Sequence, residues 1–285
     1  MWVVFAFASA LFAGTTAILA KCGVKNTDSN VATALRTIVV LIFSWLMVFL
    51  AGSQDGIRYI STKTWIFLVL SGLATGASWL CYFKALQTGD INKVTPIDKS
   101  STVLTMILAF LFLDESITWF KGISLILIAC GTYLMIEKKQ GVTTSKKRSY
   151  LFYAFGAAIF ASLTSILGKI GIENIDSTLG TAIRTVVVLI MAWLIVLVTG
   201  KIDTIKTIDQ KSWIFLMVSG LATGGSWLCY YRALQLGPAS VIVPIDKLSI
   251  VITIVFSYLV FKERLSKKSF FGLLSIVMGT LLLLV

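Results

Sequence analysis

The stretch WIFLVLSGLATGASWLCYFKALQTG, residues 65–89, returns as WIFLMVSGLATGGSWLCYYRALQLG at residues 213–237. The offset is 148, and at that offset the chain aligns with itself without a gap in both directions. FAFASALFAGTTAILAK (5–21) lies over YAFGAAIFASLTSILGK (153–169), and TALRTIVVLIFSWL (33–46) over TAIRTVVVLIMAWL (181–194). Residues 2–137 and 150–285 are thus two copies of one unit, identical at nearly half their positions. The fold question becomes what one unit is and how two of them combine.

Composition selects the solvent. With 57% hydrophobic residues, 13% charged residues, 3 prolines and a mean hydropathy of +0.92, 285 residues have too little polar surface for a water-soluble globule. A bilayer core about 30 Å thick takes about 20 helical residues, and apolar stretches of that length recur between short polar segments. Ten spans are expected: 2–20, 31–51, 65–84, 94–113, 117–136, 150–168, 179–199, 213–232, 241–261 and 269–285. The alternating segments of a β-barrel are absent. Five helices per unit is an odd number, so the second unit must enter the membrane from the opposite side. The expected fold class is an all-α integral membrane protein with ten transmembrane helices, arranged as two inverted-topology five-helix repeats. Such repeats are associated with secondary transport and alternating access. The repeats are 1–137 and 150–285, joined by a basic cytoplasmic linker at 138–149.

Loop charge gives orientation. The face holding the loops after helices 1, 3, 5, 7 and 9 carries sixteen Lys and Arg, against five on the other, with the linker and second unit supplying most of the excess. The basic face is expected in the cytoplasm, which places both termini of this multi-pass cell-membrane protein outside it. The net charge of +12 then reads as a topology signal, with no nucleic acid partner. The four cysteines have no metal-ligand spacing and there is no histidine, so neither a metal nor a cofactor is expected. No HExxH, GxSxG or paired-carboxylate arrangement suggests an enzyme. The first helix lacks a basic leader region and has a mid-chain copy, so it is expected to be retained.

SWLCYFKALQTGDINKVTPIDKSSTVLTMILAFLFLDESIT and SWLCYYRALQLGPASVIVPIDKLSIVITIVFSYLVFKERLS share a pattern. An aromatic-rich helix ends in Ala-Leu, a short loop follows, a proline sits near the next helix start, and a glutamate closes that helix. In this each unit resembles an EamA domain of the drug/metabolite transporter superfamily, and the whole chain resembles a tandem fusion of two five-helix members. The resemblance implies a secondary carrier of small metabolites, often an exporter of amino acids or related compounds. The superfamily also includes nucleotide-sugar carriers and lipid-linked sugar translocators. Small multidrug members use a glutamate in the first helix, whereas residues 2–20 contain no acid. Many ten-helix members place their termini in the cytoplasm, against the charge count.

A charge inside a span costs about 2.5–3.5 kcal/mol on insertion scales, so one that persists faces the bundle interior or water and has a partner. Arg36, Asp98 and Lys99 lie about five residues into helices 2 and 4, which start from one face, so they can pair. Lys21, Trp79, Tyr82 and Lys84 come to the same level, the two lysines also being readable as interfacial snorkelling. Arg184, Asp246, Lys247, Trp227 and Tyr230 repeat the set toward the opposite face. The two PIDK segments are therefore read as two gates around a cavity, with Asp98 and Asp246 as candidates for proton or sodium coupling. Polar stripes line one face of each helix: Thr75 and Ser78 beside Ser71, Thr223 and Ser226 beside Ser219, then Ser101, Thr102 and Thr105, and Ser249 and Thr253. Interhelical hydrogen bonding is the other reading of such stripes. Pro96 and Pro244 fit either a harmless first turn or a bending gate, and Glu115 and Glu263 read as surface residues closing helices 4 and 9.

One net positive charge per cluster favours a ligand with an anionic group, its remainder stacked on Trp and Tyr. The expected function is a secondary active transporter, exporting or exchanging small polar metabolites such as amino acids. A multidrug carrier, a lipid- or nucleotide-linked sugar carrier and a non-transporting scaffold are the alternatives. The expected partners are a small-molecule substrate, a proton or sodium ion and the lipid bilayer, with the chain a monomer or weak dimer.

Overall fold

The computed structural model describes residues 1–23, 27–88, 94, 97–135, 149–261 and 266–284. These form α1 (Trp2–Gly23), α2 (Ser29–Leu50), α3 (Thr62–Thr88), α4 (Ser101–Phe112) and α5 (Trp119–Leu134) in the first unit. The second has α6 (Ser149–Gly171), α7 (Ser177–Thr199), α8 (Gln210–Leu236), α9 (Ala239–Lys247), α10 (Ser249–Phe261) and α11 (Lys267–Leu282). There is no strand among the described residues. The expected linker lies almost wholly outside them, as do Pro96 and Glu263.

The duplication reaches the helix ends. Asp28 starts α2 by accepting from the amides of Asn30 and Val31 at 2.9 and 3.3 Å, and Asp176 starts α7 through Thr178 and Leu179 at the same distances. Thr118 caps α5 through Lys121, and Ser266 caps α11 through Ser269. Short polar side chains here satisfy amides that have no carbonyl one turn back. Each second helix is followed by a 3₁₀ turn, Gln54–Tyr59 or Ile202–Thr207.

Seven of the helices, among the described residues, are long and apolar enough to cross a membrane: Trp2–Ala20, Ser29–Leu50, Thr62–Tyr82, Tyr150–Gly171, Ser177–Thr199, Gln210–Leu236 and Ala239–Phe256. Trp119–Leu134 is apolar but shorter. The expected spans 94–113 and 269–285 correspond to α4, of 12 residues, and α11, of 16. Leu46, Phe49 and Leu50 on α2 and their counterparts Leu194, Leu197 and Val198 on α7 are exposed, an outer apolar face suited to lipid.

The expected helix over 241–261 is not continuous. It breaks at Leu248 between α9 and α10, where the Leu248 amide bonds Ile245 O at 2.9 Å, three residues back instead of four. Pro244 lies one turn before the break; it has no amide to give Ser240 O, which weakens the turn that precedes it. Ser100, the counterpart of Leu248, does the same, its amide bonding Ile97 O at 3.2 Å. The two residues share φ −64° with ψ −12° and −10°. In the second unit PIDK (244–247) thus ends a short helix at this turn, and in the first unit the described residues 97–99 lead into the same turn.

The units interlock. The first helix of each packs along the third helix of the other, α1 on α8 and α6 on α3, while α2 pairs with α7 and α5 with α11. α3 also meets α7, and α8 meets α2. Glycine permits those last approaches: a Cβ at Gly72 would lie 2.6 Å from Val187, and one at Gly220 2.7 Å from Val39. Because contacts run between units, the space at the centre has walls from both.

Candidate functional site

Arg36 sits about two turns into α2, and Arg184 at the same place in α7. Since α2 packs on α8 and α7 on α3, each arginine reaches the third helix of the other unit. Arg36 Nη2 donates to Thr223 Oγ1 at 2.9 Å. Arg184 Nη2 donates to Thr75 Oγ1 at 2.8 Å, and its Nε to Ser71 Oγ at 3.3 Å. The hydroxyl protons are already committed: Thr223 donates to Ser219 O, Thr75 to Ser71 O, and Ser71 to Thr164 O, all at 2.8–2.9 Å. Their lone pairs are left to accept from the guanidinium groups. Threonine therefore holds each arginine in place without cancelling its charge. Arg184 is 1% exposed and lies over the rings of Trp227, at 5.2 Å, and Tyr231, at 4.6 Å. Among the described residues Arg36 has no such stack, and its buried Nε has no partner.

Both arginines open onto one cavity of about 400 Å³. Of the residues singled out in the sequence, Trp79, Thr75, Ser78, Ser101, Thr102 and Thr105 line it from the first unit. Trp227, Tyr230, Thr223, Ser226, Asp246 and Lys247 line it from the second. The cavity wall does not include Asp98, Lys99, Tyr82, Ser249 or Thr253. Asp98 is half-buried, Lys99 exposed, and both lie within electrostatic reach of Lys247 from the other unit. Tyr82 packs instead with Ala85, Val94 and Ala154. Thr253 donates back to Ser249 O at 3.0 Å along its own helix.

Two expectations change. Arg36 pairs across the interface with Thr223, not with Asp98 of its own unit, because α2 lies on α8. And the two arginines share one cavity where separate clusters at opposite faces were expected. Asp246 is the carboxylate of the cavity wall: Ser9 Oγ donates to Oδ1 at 2.6 Å, and Lys247 Nζ stands 3.9 Å from Oδ2. Tyr230 donates to Ser165 Oγ at 2.8 Å. Thr16, Thr164, Ser165 and Tyr231, which also line the cavity, were not singled out in the sequence. The repetition of a hydroxyl at Thr16 and Thr164, 148 positions apart, was the available signal.

Glu115 is also not a solvated surface residue. Only 9% of its side chain is exposed, and it accepts from the amides of Ala239 at 2.6 Å and Ser240 at 3.0 Å. It supplies the first turn of α9 with the cap that Pro238 cannot provide. Lys169 joins it at 3.4 Å and also donates to Gly237 O at 2.5 Å. A loop of the first unit, the end of α6 and the start of α9 are thereby tied together beside the second PIDK half-helix.

The profile of the EamA-like transporter family matches residues 1–137 and, separately, 148–285. The chain belongs to the EamA-like transporter family. Among relatives of this EamA protein, an "uncharacterized transporter in cobO 3′ region" of Sinorhizobium sp. is 44% identical over 138 residues, 48% of this chain and 98% of its own. An uncharacterized protein of Methanocaldococcus jannaschii is 33% identical over 127 residues, 44% of this chain and 89% of its own. Both are about the length of one repeat. Human solute carrier family 35 member G1 is 26% identical over 209 residues, 70% of this chain, which spans 56% of the human protein. A solved crystal structure superimposes with a TM-score of 0.76 over 99% of this chain and 97% of its own, at 13% identity, a likeness of fold alone. The EamA chain is therefore a multi-pass membrane transporter of the drug/metabolite type, with two repeats, a lipid bilayer around it and a small molecule as substrate.

Proposed function

We propose that this transporter is a secondary carrier that exports or exchanges small polar metabolites such as amino acids, exposing its central cavity alternately to the two sides of the membrane. In this reading ten helices form two inverted five-helix repeats, with both termini outside the cytoplasm, and the protein has no enzymatic role. The observation that carries it is the placement of Arg36 and Arg184 in one cavity, each held by a hydroxyl of the opposite repeat. A site built from both repeats changes shape whenever one repeat moves against the other, which is what alternating access requires. The tie between Glu115, Lys169 and the start of α9 supports a closed gate on that side. Asp246, in the cavity wall beside Ser9 and Lys247, and Asp98, near Lys247, are the carboxylates for proton or sodium coupling.

Reconstitution tests the reading. Purified protein in liposomes loaded with unlabelled amino acids should take up trace label by counterflow, and an imposed pH or sodium gradient should drive accumulation. Asp246→Asn should abolish the gradient-driven phase and keep counterflow. Reporter fusions at both termini should be active only outside the cytoplasm. A chain that moves no solute under any gradient would be a scaffold, and wild-type pH dependence in an Asp98→Asn, Asp246→Asn double variant would remove carboxylate coupling.

A further inference from the structure

The cavity wall carries three formal positive charges, Arg36, Arg184 and Lys247, and one negative charge, Asp246. Asp246 is already engaged by Ser9 and Lys247, and no carboxylate lies within ion-pair distance of either arginine among the described residues. A guanidinium without a counter-charge is costly at membrane depth, and hydroxyl partners, being neutral, leave its formal charge uncancelled. Each arginine also has donor capacity unspent. A guanidinium has five N–H donors; Arg36 uses one and Arg184 two, and the unpartnered Nε of Arg36 is buried. The unspent donors belong to groups that converge on the cavity from opposite repeats.

We infer that the substrate is a small organic dianion, with one acidic group received by Arg36 and the other by Arg184. The inference rests on the transport reading above and narrows its substrate class from polar metabolites to those with two acidic groups. Arginine suits this task because its planar fork receives a carboxylate or phosphate through paired hydrogen bonds. A monocarboxylate zwitterion would leave one guanidinium uncompensated and bring an ammonium into a wall that is already positive. A dianion matches the excess of two. Each acidic group also bridges the repeats, since Arg36 is anchored to α8 and Arg184 to α3. Ligand binding should therefore tighten the contact between the two units.

Thermal unfolding of the detergent-solubilised full chain tests this at constant ionic strength, with succinate, glutarate and aspartate as two-acid probes and alanine and lactate as mono-carboxylates. Succinate or glutarate should raise the unfolding temperature saturably, while alanine and lactate leave it unchanged at the same concentration. Arg36→Gln and Arg184→Gln should each weaken binding of the stabilising probe at least tenfold; Arg36→Gln keeps the test readable if Arg184→Gln does not fold. Equal stabilisation by alanine, no stabilisation by any two-acid probe, or unchanged affinity in Arg36→Gln would overturn the inference. Counterflow separates it from the broader reading. Alanine exchange without dicarboxylate exchange leaves a transporter and removes the dianion, whereas dianion binding without any exchange keeps the site and removes transport.

Discussion

Asp246 and Asp98 hold the same place in their repeats, yet Ser9 donates to Asp246 at 2.6 Å while the counterpart of Ser9 is Ala157, which has no hydroxyl. The same kind of difference recurs close by. Tyr230 donates to Ser165, and the residues at the matching positions of the first unit are Tyr82 and Ala17. Tyr231 stacks on Arg184, and its counterpart is Phe83. By contrast the caps, the kinks and the arginine-to-threonine bonds are kept in both units. Backbone architecture is thus duplicated, while the polar groups set around Asp246, Tyr230 and Arg184 have apolar residues at the matching positions of the other repeat. Two units so alike in fold need not occupy equivalent states, because a few hydroxyls bias one of them.

The largest effect should come from separating the two arginines. Arg184 gains two charge-assisted bonds, about 1.5–3 kcal/mol each, and two ring contacts, about 0.5–2 kcal/mol each. These exceed the roughly 2.5–3.5 kcal/mol cost of a charge at depth. Among the described residues Arg36 has one such bond, of 2.9 Å, and no ring contact, which about balances that cost. Arg184→Met should therefore abolish transport and lower the unfolding temperature, whereas Arg36→Met should abolish transport and leave stability nearly unchanged. Equal destabilisation by both would mean that the stacked cation contributes nothing beyond its hydroxyl bonds.

Next comes the tie at Glu115. Glu115→Gln removes its charge and replaces one of two acceptor oxygens by a donor, so the amides of Ala239 and Ser240 and Lys169 lose much of their common partner. Hydrogen bonds to charged groups contribute about 1.5–3 kcal/mol, which corresponds to roughly a tenfold or greater increase in opening. Ser240 is fully buried and its hydroxyl has no partner, so a cysteine there is a mild reporter. Labelling of Ser240→Cys should rise about tenfold when Glu115→Gln is added. An unchanged rate would make the Glu115 contact a helix cap without a gating role.

How these parts divide between sequence and tertiary structure can be stated residue by residue. The duplication, the membrane environment and the helices were readable because span length and the 148-residue offset are properties of the chain itself. Arg36 and Arg184 were readable as charges that required a reason. Their partners were not: placing Arg36 with Asp98 assumed that a unit packs on itself, whereas Gly220 lets α2 lie against α8 of the other unit. Glu115 looked solvated because it ends a helix, and its burial depends on α9 arriving there. Pro244 marked this segment as irregular, but the turn at Leu248 lies four residues beyond it, whereas proline disturbs the turn that precedes it, so the place of the break was not readable from the sequence.

A smaller effect should separate the two aspartates. Ser9→Ala deletes the 2.6 Å bond to Asp246 and should slow transport about tenfold, the scale of a lost hydrogen bond to a charged group. Ala157→Ser, the mirror change, should alter transport less than about twofold, since Asp98 is not in the cavity wall. If Ala157→Ser had the larger effect, the first PIDK segment would be the working one and the asymmetry would run the other way.

The smallest effect lies outside the membrane, at the start of the third helix in each unit. Ser61 caps α3 by accepting from the Thr64 amide at 3.2 Å, and Asp209 caps α8 by accepting from the Ser212 amide at 3.2 Å and its hydroxyl at 2.7 Å. The cap geometry is the same, but only one is ionisable. The hydroxyl and then the amide of Ser212 hold the Asp209 carboxyl below its ordinary range. A depressed carboxyl stabilises the folded chain above its unfolded pKa of about 3.9, and that contribution is lost as pH falls through the lower folded value. The wild type should therefore unfold at a slightly higher temperature than Asp209→Ser at neutral pH, where a charged cap also meets the positive end of the helix dipole. The margin should be constant from pH 8 to about pH 5 and vanish on further acidification. Ser61→Asp should create the same acid-dependent margin at α3, and a margin that already closes near pH 6 would assign the titration to another group.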